Sequence, residues 1–300
     1  METCTGLPGC KGFPGGEGFL GRMSSSGRSA GDASENYAQV CLRFSETSRP
    51  LRTVTELTFL GTGNFLAPPG RYWNSFVLDD NVLVEPSPTA LPHLRRCGFA
   101  VEAIDVVVVS HFHADHCFGW PFLLQALAEA ELAVDDGGGR TVHVVGPPGL
   151  EAQLTHMLAV GSVRSVLTMA GERLDLRFVE VDESWQQAGS LRFRAVEVEH
   201  VPYLRCFGYL FDRGAQTVAY SGDLRPCAGL DELAENADVL VLECNGTHEG
   251  PRTHMDEADV RELHEAHPGV HLVLTHLGEQ VDTTLMPEVT IPDDFDRLSV

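Results

Sequence analysis

Ile104-Asp105-Val106-Val107-Val108-Val109-Ser110-His111-Phe112-His113-Ala114-Asp115-His116 is the stretch that decides how this chain folds. Its four consecutive valines show no alternating polar face, the pattern of a strand buried on both sides near the middle of a sheet. Immediately afterwards, His111, His113, Asp115 and His116 put four metal-type ligands into six positions. Zinc takes imidazole nitrogen and carboxylate oxygen at about 2 Å, usually in four-coordinate geometry. A His-x-His step sends two imidazoles to one side of a strand-end loop, and the following Asp-His can turn towards a second ion. A run of solvated loop histidines is the plainer reading, but it gives no reason for four ligands directly behind a buried strand.

Outward from this point the chain alternates short β runs with helical stretches. Residues 54–60 (VTELTFL) and 75–85 (SFVLDDNVLVE) predict a strand and a hairpin. Residues 121–132 have helical periodicity with Pro121 in the first turn, and 140–146 form a strand stopped by Pro-Pro-Gly, with a helix from about Leu150. Residues 191–200 and 206–212 read as a strand pair around His200. Residues 217–223, 237–243 and 270–276 read as strands that each end on an acid or a histidine, and 255–267 as a helix between the last two. The class is α/β, with the polar residues at strand ends, where open sheets place ligands.

Composition bounds the partners. The chain has 300 residues, 43% of them hydrophobic, enough for a sizeable core. Acidic residues number 43 against 21 basic, a net charge of -22, and Lys11 is the only lysine. A surface this negative repels phosphate backbones, so long nucleic acid is disfavoured as a partner. Residues 1–50 balance five acids against five bases, which leaves the whole imbalance in 51–300. Within that first segment, glycines at 6, 9, 12, 15, 18 and 21 keep a collagen-like period of three. So few triplets cannot hold a triple helix alone, and 1–50 is expected to be a disordered Gly/Ser-rich tail ahead of a folded domain over 51–300. The eight cysteines include no Cys-x-x-Cys pair, no secretory-type leader is visible, and no apolar run is long enough to span a bilayer. A soluble cytoplasmic protein with reduced thiols is the expectation.

The His111–His116 run resembles the metallo-β-lactamase superfamily, whose HxHxDH motif it matches in full. The resemblance covers about 53–278 and implies an αββα sandwich of two mixed sheets flanked by helices. It further implies that His200 joins His111 and His113 at one metal, that Asp223 bridges, and that His276 completes a second site with Asp115 and His116. Two divalent ions about 3.5–4 Å apart share a hydroxide and polarise the oxygen of the group it attacks. Zinc is the expected metal, with Mn or Fe close behind. Asp115 could also orient or deprotonate the nucleophilic water.

Phe59–Gly63 (FLGTG) and the segment 243–260 around His254 narrow the branch. With His276 they look like elements of RNase Z, the tRNA 3′-processing endonuclease, and of related cyclic phosphodiesterases. On that likeness His254 is a general acid for the leaving oxygen, competing with the reading of a helix-capping histidine. His248 lies nearby, Arg71 and Asn74 resemble a position near the substrate entrance, and Glu243 could orient a ligand. Gly61 and Gly63 read as a tight turn that could cradle phosphate, and Glu85 stands where an aspartate is usual. Cys117 is not expected to ligate metal. No long basic arm for gripping tRNA is visible. The leading expectation is therefore a two-metal hydrolase of a small or short phosphodiester. Hydrolysis of a lactone or thioester, tRNA 3′ processing, and a non-catalytic metal scaffold are the alternatives. A homodimer is the assembly that the resemblance carries.

Overall fold

The computed structural model describes residues 54–131, 139–246, 252–282, 284 and 286–300. The glycine-periodic segment 1–50 and His248 lie outside them. The first sheet is built from β1 (Glu56–Gly61), β2 (Ser75–Leu78), β3 (Val82–Val84), β4 (Val106–Val108), β5 (Arg140–Gly146), β6 (Leu174–Glu180) and β13 (Arg297–Ser299). The second comprises β7 (Trp185–Ala188), β8 (Leu191–Val198), β9 (Cys206–Asp212), β10 (Thr217–Tyr220), β11 (Val239–Glu243) and β12 (His271–Thr275). Their orders are β13-β1-β2-β3-β4-β5-β6 and β12-β11-β10-β9-β8-β7. Both are mixed: β3 to β6 run parallel and β10 to β12 run parallel, while the remaining pairs are antiparallel.

Strand periodicity sorts the apolar side chains into layers. Val106 and Val108 of β4 point between the sheets, where they meet Phe76, Phe193, Tyr209, Phe211 and Val241. Val107 and Val109 point the other way, against the helices α1 (Ala90–Arg96), α3 (Trp120–Ala130), α4 (Leu150–Val160) and α5 (Arg164–Arg173). On the far side, Leu240 and Leu242 of β11 pack on Leu230 and Leu233 of α6 (Ala228–Glu235) and on Val260 and Leu263 of α7 (Glu257–Ala266). The valine run is thus covered on both faces, as its missing polar face requires, and the architecture is the αββα sandwich. Full burial of each such side chain contributes about 1.5–3 kcal/mol. No helix among the described residues is long and apolar enough to cross a membrane.

Local chemistry fixes the elements nearest the site. α7 begins at Asp256, whose carboxylate accepts from the amides of Ala258 and Asp259, while Asp259 reaches back to the Asp256 amide as a capping box. The short α2 (Ala114–Cys117) carries the second half of the motif. Gly119, just before α3, passes so close to the 86–87 backbone that a Cβ would lie 1.9 Å from the Ser87 carbonyl oxygen. Gly61 and Gly63 make no phosphate cradle. A Cβ on Gly61 would lie 2.2 Å from the Trp73 carbonyl, and the Gly63 amide donates to Tyr72 at 2.7 Å, so these glycines allow close backbone packing.

Candidate metal centre

The carboxyl ends of β3, β4, β8, β10, β11 and β12 meet along one edge of the sandwich. They deliver Glu85, then His111 to His116, then His200, Asp223, Glu243 and His276. Glu85 and His276 both hold left-handed backbone, with φ of 59° and 52°. That conformation costs a non-glycine residue about 1–2 kcal/mol, and in each case it turns the chain directly out of a buried strand into the cluster.

His111, His113, His200 and Asp223 bring four ligand atoms to within 4.8 Å of one another, as do the three of Asp115, His116 and His276. In the first group, His111 Nε2 and His200 Nε2 lie 2.9 and 3.3 Å from His113 Nδ1. In the second, His116 Nε2 and His276 Nε2 each lie 3.3 Å from Asp115 Oδ2. Asp223 stands between them. Its Oδ2 is 3.8 Å from His111 and 3.9 Å from His200, and its Oδ1 is 3.3 Å from His116.

The buried atoms His116 Nε2, Asp115 Oδ1 and Asp223 Oδ1 make no hydrogen bond. Buried polar atoms without partners are costly. Converging imidazole lone pairs flanked by two carboxylates are the donor set that divalent zinc, manganese or iron takes. The residues present therefore fit two cations.

Outer contacts aim the inner ones. His200 Nδ1 lies 2.8 Å from the Thr253 carbonyl and donates to it, which leaves Nε2 as a lone pair facing the cluster. Ser110 Oγ lies 2.9 Å from His111 Nδ1. Glu85 Oε1 lies 3.4 Å from His116 Nδ1 and accepts from the Ser110 amide at 3.2 Å, so a glutamate fills the place where aspartate is usual.

Burial pushes His111 well below the ordinary histidine value and His200 down to about 4. Both imidazoles stay neutral and able to ligate. His116 moves the opposite way: burial opposes its protonation, but the carboxylates of Asp223, Asp115 and Glu85 outweigh that and hold it well above the usual range. Asp115 and Asp223 remain ionised because the neighbouring histidines overcome their burial.

His254 sits at the rim, its ring 4.7 Å from that of His200 and 5.6 Å from that of His276. Its Nδ1 donates to Glu243 Oε1 at 2.7 Å. Glu243 is itself pinned by the amides of Leu224 and Asn245, each at 3.1 Å. Burial works against a charged His254, yet the Glu243 carboxylate wins and raises it to about 9. His254 precedes the Asp256 cap, so it is no helix cap. Cys117 donates to the His113 carbonyl, and burial pushes its thiol up to about 12, which leaves it inert.

Asn74 and Arg71 are both engaged by neighbouring groups. Asn74 is buried, donating to Tyr220 Oη at 2.8 Å and accepting from Thr275 Oγ1 at 2.6 Å. Arg71 is occupied by Thr62 Oγ1 at 2.5 Å and the Pro292 carbonyl at 3.1 Å. Sequence reasoning missed Ser110, Thr253 and Tyr203, whose hydroxyl approaches His113 Nε2 at 3.5 Å. Ser110 and Tyr203 sit one and three positions from a ligand histidine, which was the available signal; the Thr253 carbonyl left none.

The family model of the beta-lactamase superfamily domain matches residues 80–277, from the β2–β3 turn to the residue after His276. The chain belongs to the beta-lactamase superfamily. Among curated relatives it is similar to a ribonuclease Z of Pyrobaculum calidifontis, 26% identical, with 82% of this chain and 98% of the relative covered. Among solved structures it is similar to the metallo-beta-lactamase fold protein YhfI from Bacillus subtilis, with a TM-score of 0.66 and 20% identity over 82% of this chain and 100% of that one. A diphosphatase from the PhnP family superposes with a TM-score of 0.65, also at 20% identity, over 82% of this chain and 98% of that one. The solved structures show the metallo-β-lactamase fold. β13, beyond the matched span, adds an edge strand against β1.

Proposed function

We propose that this superfamily member is a two-metal phosphodiesterase acting on a small or short phosphodiester. His111, His113 and His200 would hold one divalent cation and Asp115, His116 and His276 the other, with Asp223 shared. Bound there, the pair supplies Lewis acidity to a phosphoryl oxygen and lowers the pKa of the attacking water. Asp115 Oδ1, which has no hydrogen-bond partner, is assigned to orient that water or accept its proton. His254, kept protonated by Glu243, donates to the leaving oxygen.

The observation that carries this reading is the Glu243–His254 pair at 2.7 Å on the rim of the cluster. It provides a charged proton donor where an alkoxide has to depart. The relatives named as ribonuclease Z and as a diphosphatase act on phosphate esters or anhydrides, which supports the same class. A charge of -22 on the chain favours a short substrate over a tRNA. The five described free thiols, Cys97, Cys117, Cys206, Cys227 and Cys244, suit a reducing cytoplasm.

His254→Ala in the metal-loaded enzyme tests the assignment. Turnover of an alkyl phosphodiester is expected to fall about 10²–10⁴-fold. Bis(p-nitrophenyl) phosphate should slow far less, because p-nitrophenolate leaves without a proton. Metal content should hold. Equal losses on both substrates would remove His254 from the role of acid.

A further inference from the structure

We infer that Tyr220, Asn74 and Thr275 are positioning residues for the second candidate cation, joined in a buried hydrogen-bond network that ties His116 to His276. This rests on the two-metal reading and on no choice of substrate.

The network joins the two sheets. Asn74 stands just before β2 and Glu85 just after β3, in the first sheet, while Tyr220 ends β10 and Thr275 ends β12, in the second. None of the four is more than 1% exposed. Thr275 Oγ1 donates to Asn74 Oδ1 at 2.6 Å, and Asn74 Nδ2 donates to Tyr220 Oη at 2.8 Å. The phenol donates in turn to Glu85. Burial, and then the Glu85 carboxylate, raise it well above the ordinary tyrosine value, so it keeps its proton. At the end of the network, Glu85 Oε1 lies 3.4 Å from His116 Nδ1.

All three donors therefore point one way, towards a carboxylate that faces a candidate ligand. With its proton directed at Glu85, the phenol oxygen accepts from Asn74, which sets the amide nitrogen towards Tyr220 and the amide oxygen towards Thr275. Bonds aligned in this way polarise one another in a low-dielectric interior.

The other end of the network holds His276. Thr275 directly precedes it, and His276 has the left-handed φ of 52° that turns the chain into the cluster. Among the described residues, His276 Nδ1 has no hydrogen-bond partner. His200 is aimed by its ring N–H on the Thr253 carbonyl, whereas the His276 ring is aimed by the backbone that carries it. The Thr275 hydroxyl anchors that backbone in the core. His116 follows a strand of the first sheet and His276 a strand of the second, so their separation depends on how the sheets are tied together here.

Packing alone gives no reason for these polar groups. The Tyr220 ring lies against Phe76 at 5.3 Å, a contact that phenylalanine would make equally well. Buried hydroxyls and amides are costly unless paired, and an apolar layer would avoid the cost. The first site has separate outer contacts, Ser110 Oγ for His111 and the Thr253 carbonyl for His200. Loss of the Tyr220 hydroxyl should therefore act on one site only. Glu85 also accepts from the Ser110 amide, so a change there would disturb both.

The test strips the full chain of metal and measures its two zinc dissociation constants by competition with a chromophoric chelator. His276→Ala marks the constant that belongs to the second cation. Tyr220→Phe, which keeps the ring, is expected to weaken that constant about 10–100-fold and leave the first unchanged. Thr275→Val should do the same, and Thr275→Ser, which restores the hydroxyl, should recover the affinity. Tyr209→Phe is the matched control. Tyr209 pairs with Tyr220 on the neighbouring strand, and its buried hydroxyl donates to the Val109 carbonyl at 2.7 Å. Its loss should leave the second constant in place. An unchanged second constant in either Tyr220→Phe or Thr275→Val, an equal loss at both sites, or the same loss in Tyr209→Phe would overturn the inference while the two-metal reading stands. A wild-type chain that binds a single zinc would overturn both.

Discussion

At the scale of single residues, the centre sorts its histidines by environment into ligands and a donor. His254 has a folded value of about 9, above its ordinary 6.5. The stability it draws from Glu243 is fully present below pH 6.5, and that stability and the protonated form are lost as pH rises through about 9. Two nearby dications would lower the midpoint by like-charge repulsion. Activity on an alkyl phosphodiester is expected to fall on the alkaline side, and Glu243→Gln should move that limb to lower pH. A limb that stays in place in the variant would separate Glu243 from the donor. Buried His93, His111 and His200 and half-buried His113 shift in the opposite direction, principally through desolvation. Their unfolded forms take up protons near pH 6.5 that the folded protein refuses. The chelated protein should therefore lose stability between pH 6.5 and about 4, the folded value of His200. Thermal melts at pH 7 and pH 5 check this, and a melting temperature unchanged between them would contradict it. The proposed ligand residues were readable as candidates because they stand at or just beyond strand ends, and the structure brings them together.

At the scale of elements, the site depends on backbones that approach closely enough to leave no room for a side chain. Gly119 joins the motif helix to the loop that follows Glu85, with 1.9 Å between an added Cβ and the Ser87 carbonyl. Gly119→Ala should cost about 1–3 kcal/mol and loosen Glu85 from His116, which denaturant melts and metal retention would both register. Full metal retention with unchanged stability would show that this contact yields easily. The strands with continuous or alternating apolar runs were all legible, β1 to β5 and β8 to β12 alike. α1, α2, α5, α6, β6, β7 and β13 were not. β6 reads LDLRFVE and is mostly half-exposed, so its charges hide the period. β13 is three residues long and exists only through its pairing with β1, a contact across the whole domain that no local pattern encodes. β6, β7 and β13 are the outermost strands of their sheets, where burial constrains residue type least, whereas the four-residue α2 is too short to show a helical period.

At the scale of the whole molecule, the charge of -22 and the metal cluster pull in opposite directions. Two divalent cations offset about four negative charges, and only locally. Binding to a full tRNA at 0.1 M salt is expected to be weaker than about 10⁻⁴ M, the loose end of non-specific nucleic-acid binding. Micromolar retention of tRNA in a filter assay would instead favour the ribonuclease reading. On the proposed assignment, chelation should abolish turnover and lower the melting temperature, because seven buried or half-buried candidate ligands then face one another without cations. The most direct measurement joins elemental analysis to turnover on a matched panel of a phosphodiester, a lactone and a thioester. About two metals per chain with preferential cleavage of the phosphodiester, lost in Asp223→Ala, is the expected result. Two bound metals with the phosphodiester untouched and the lactone or thioester cleaved would contradict it.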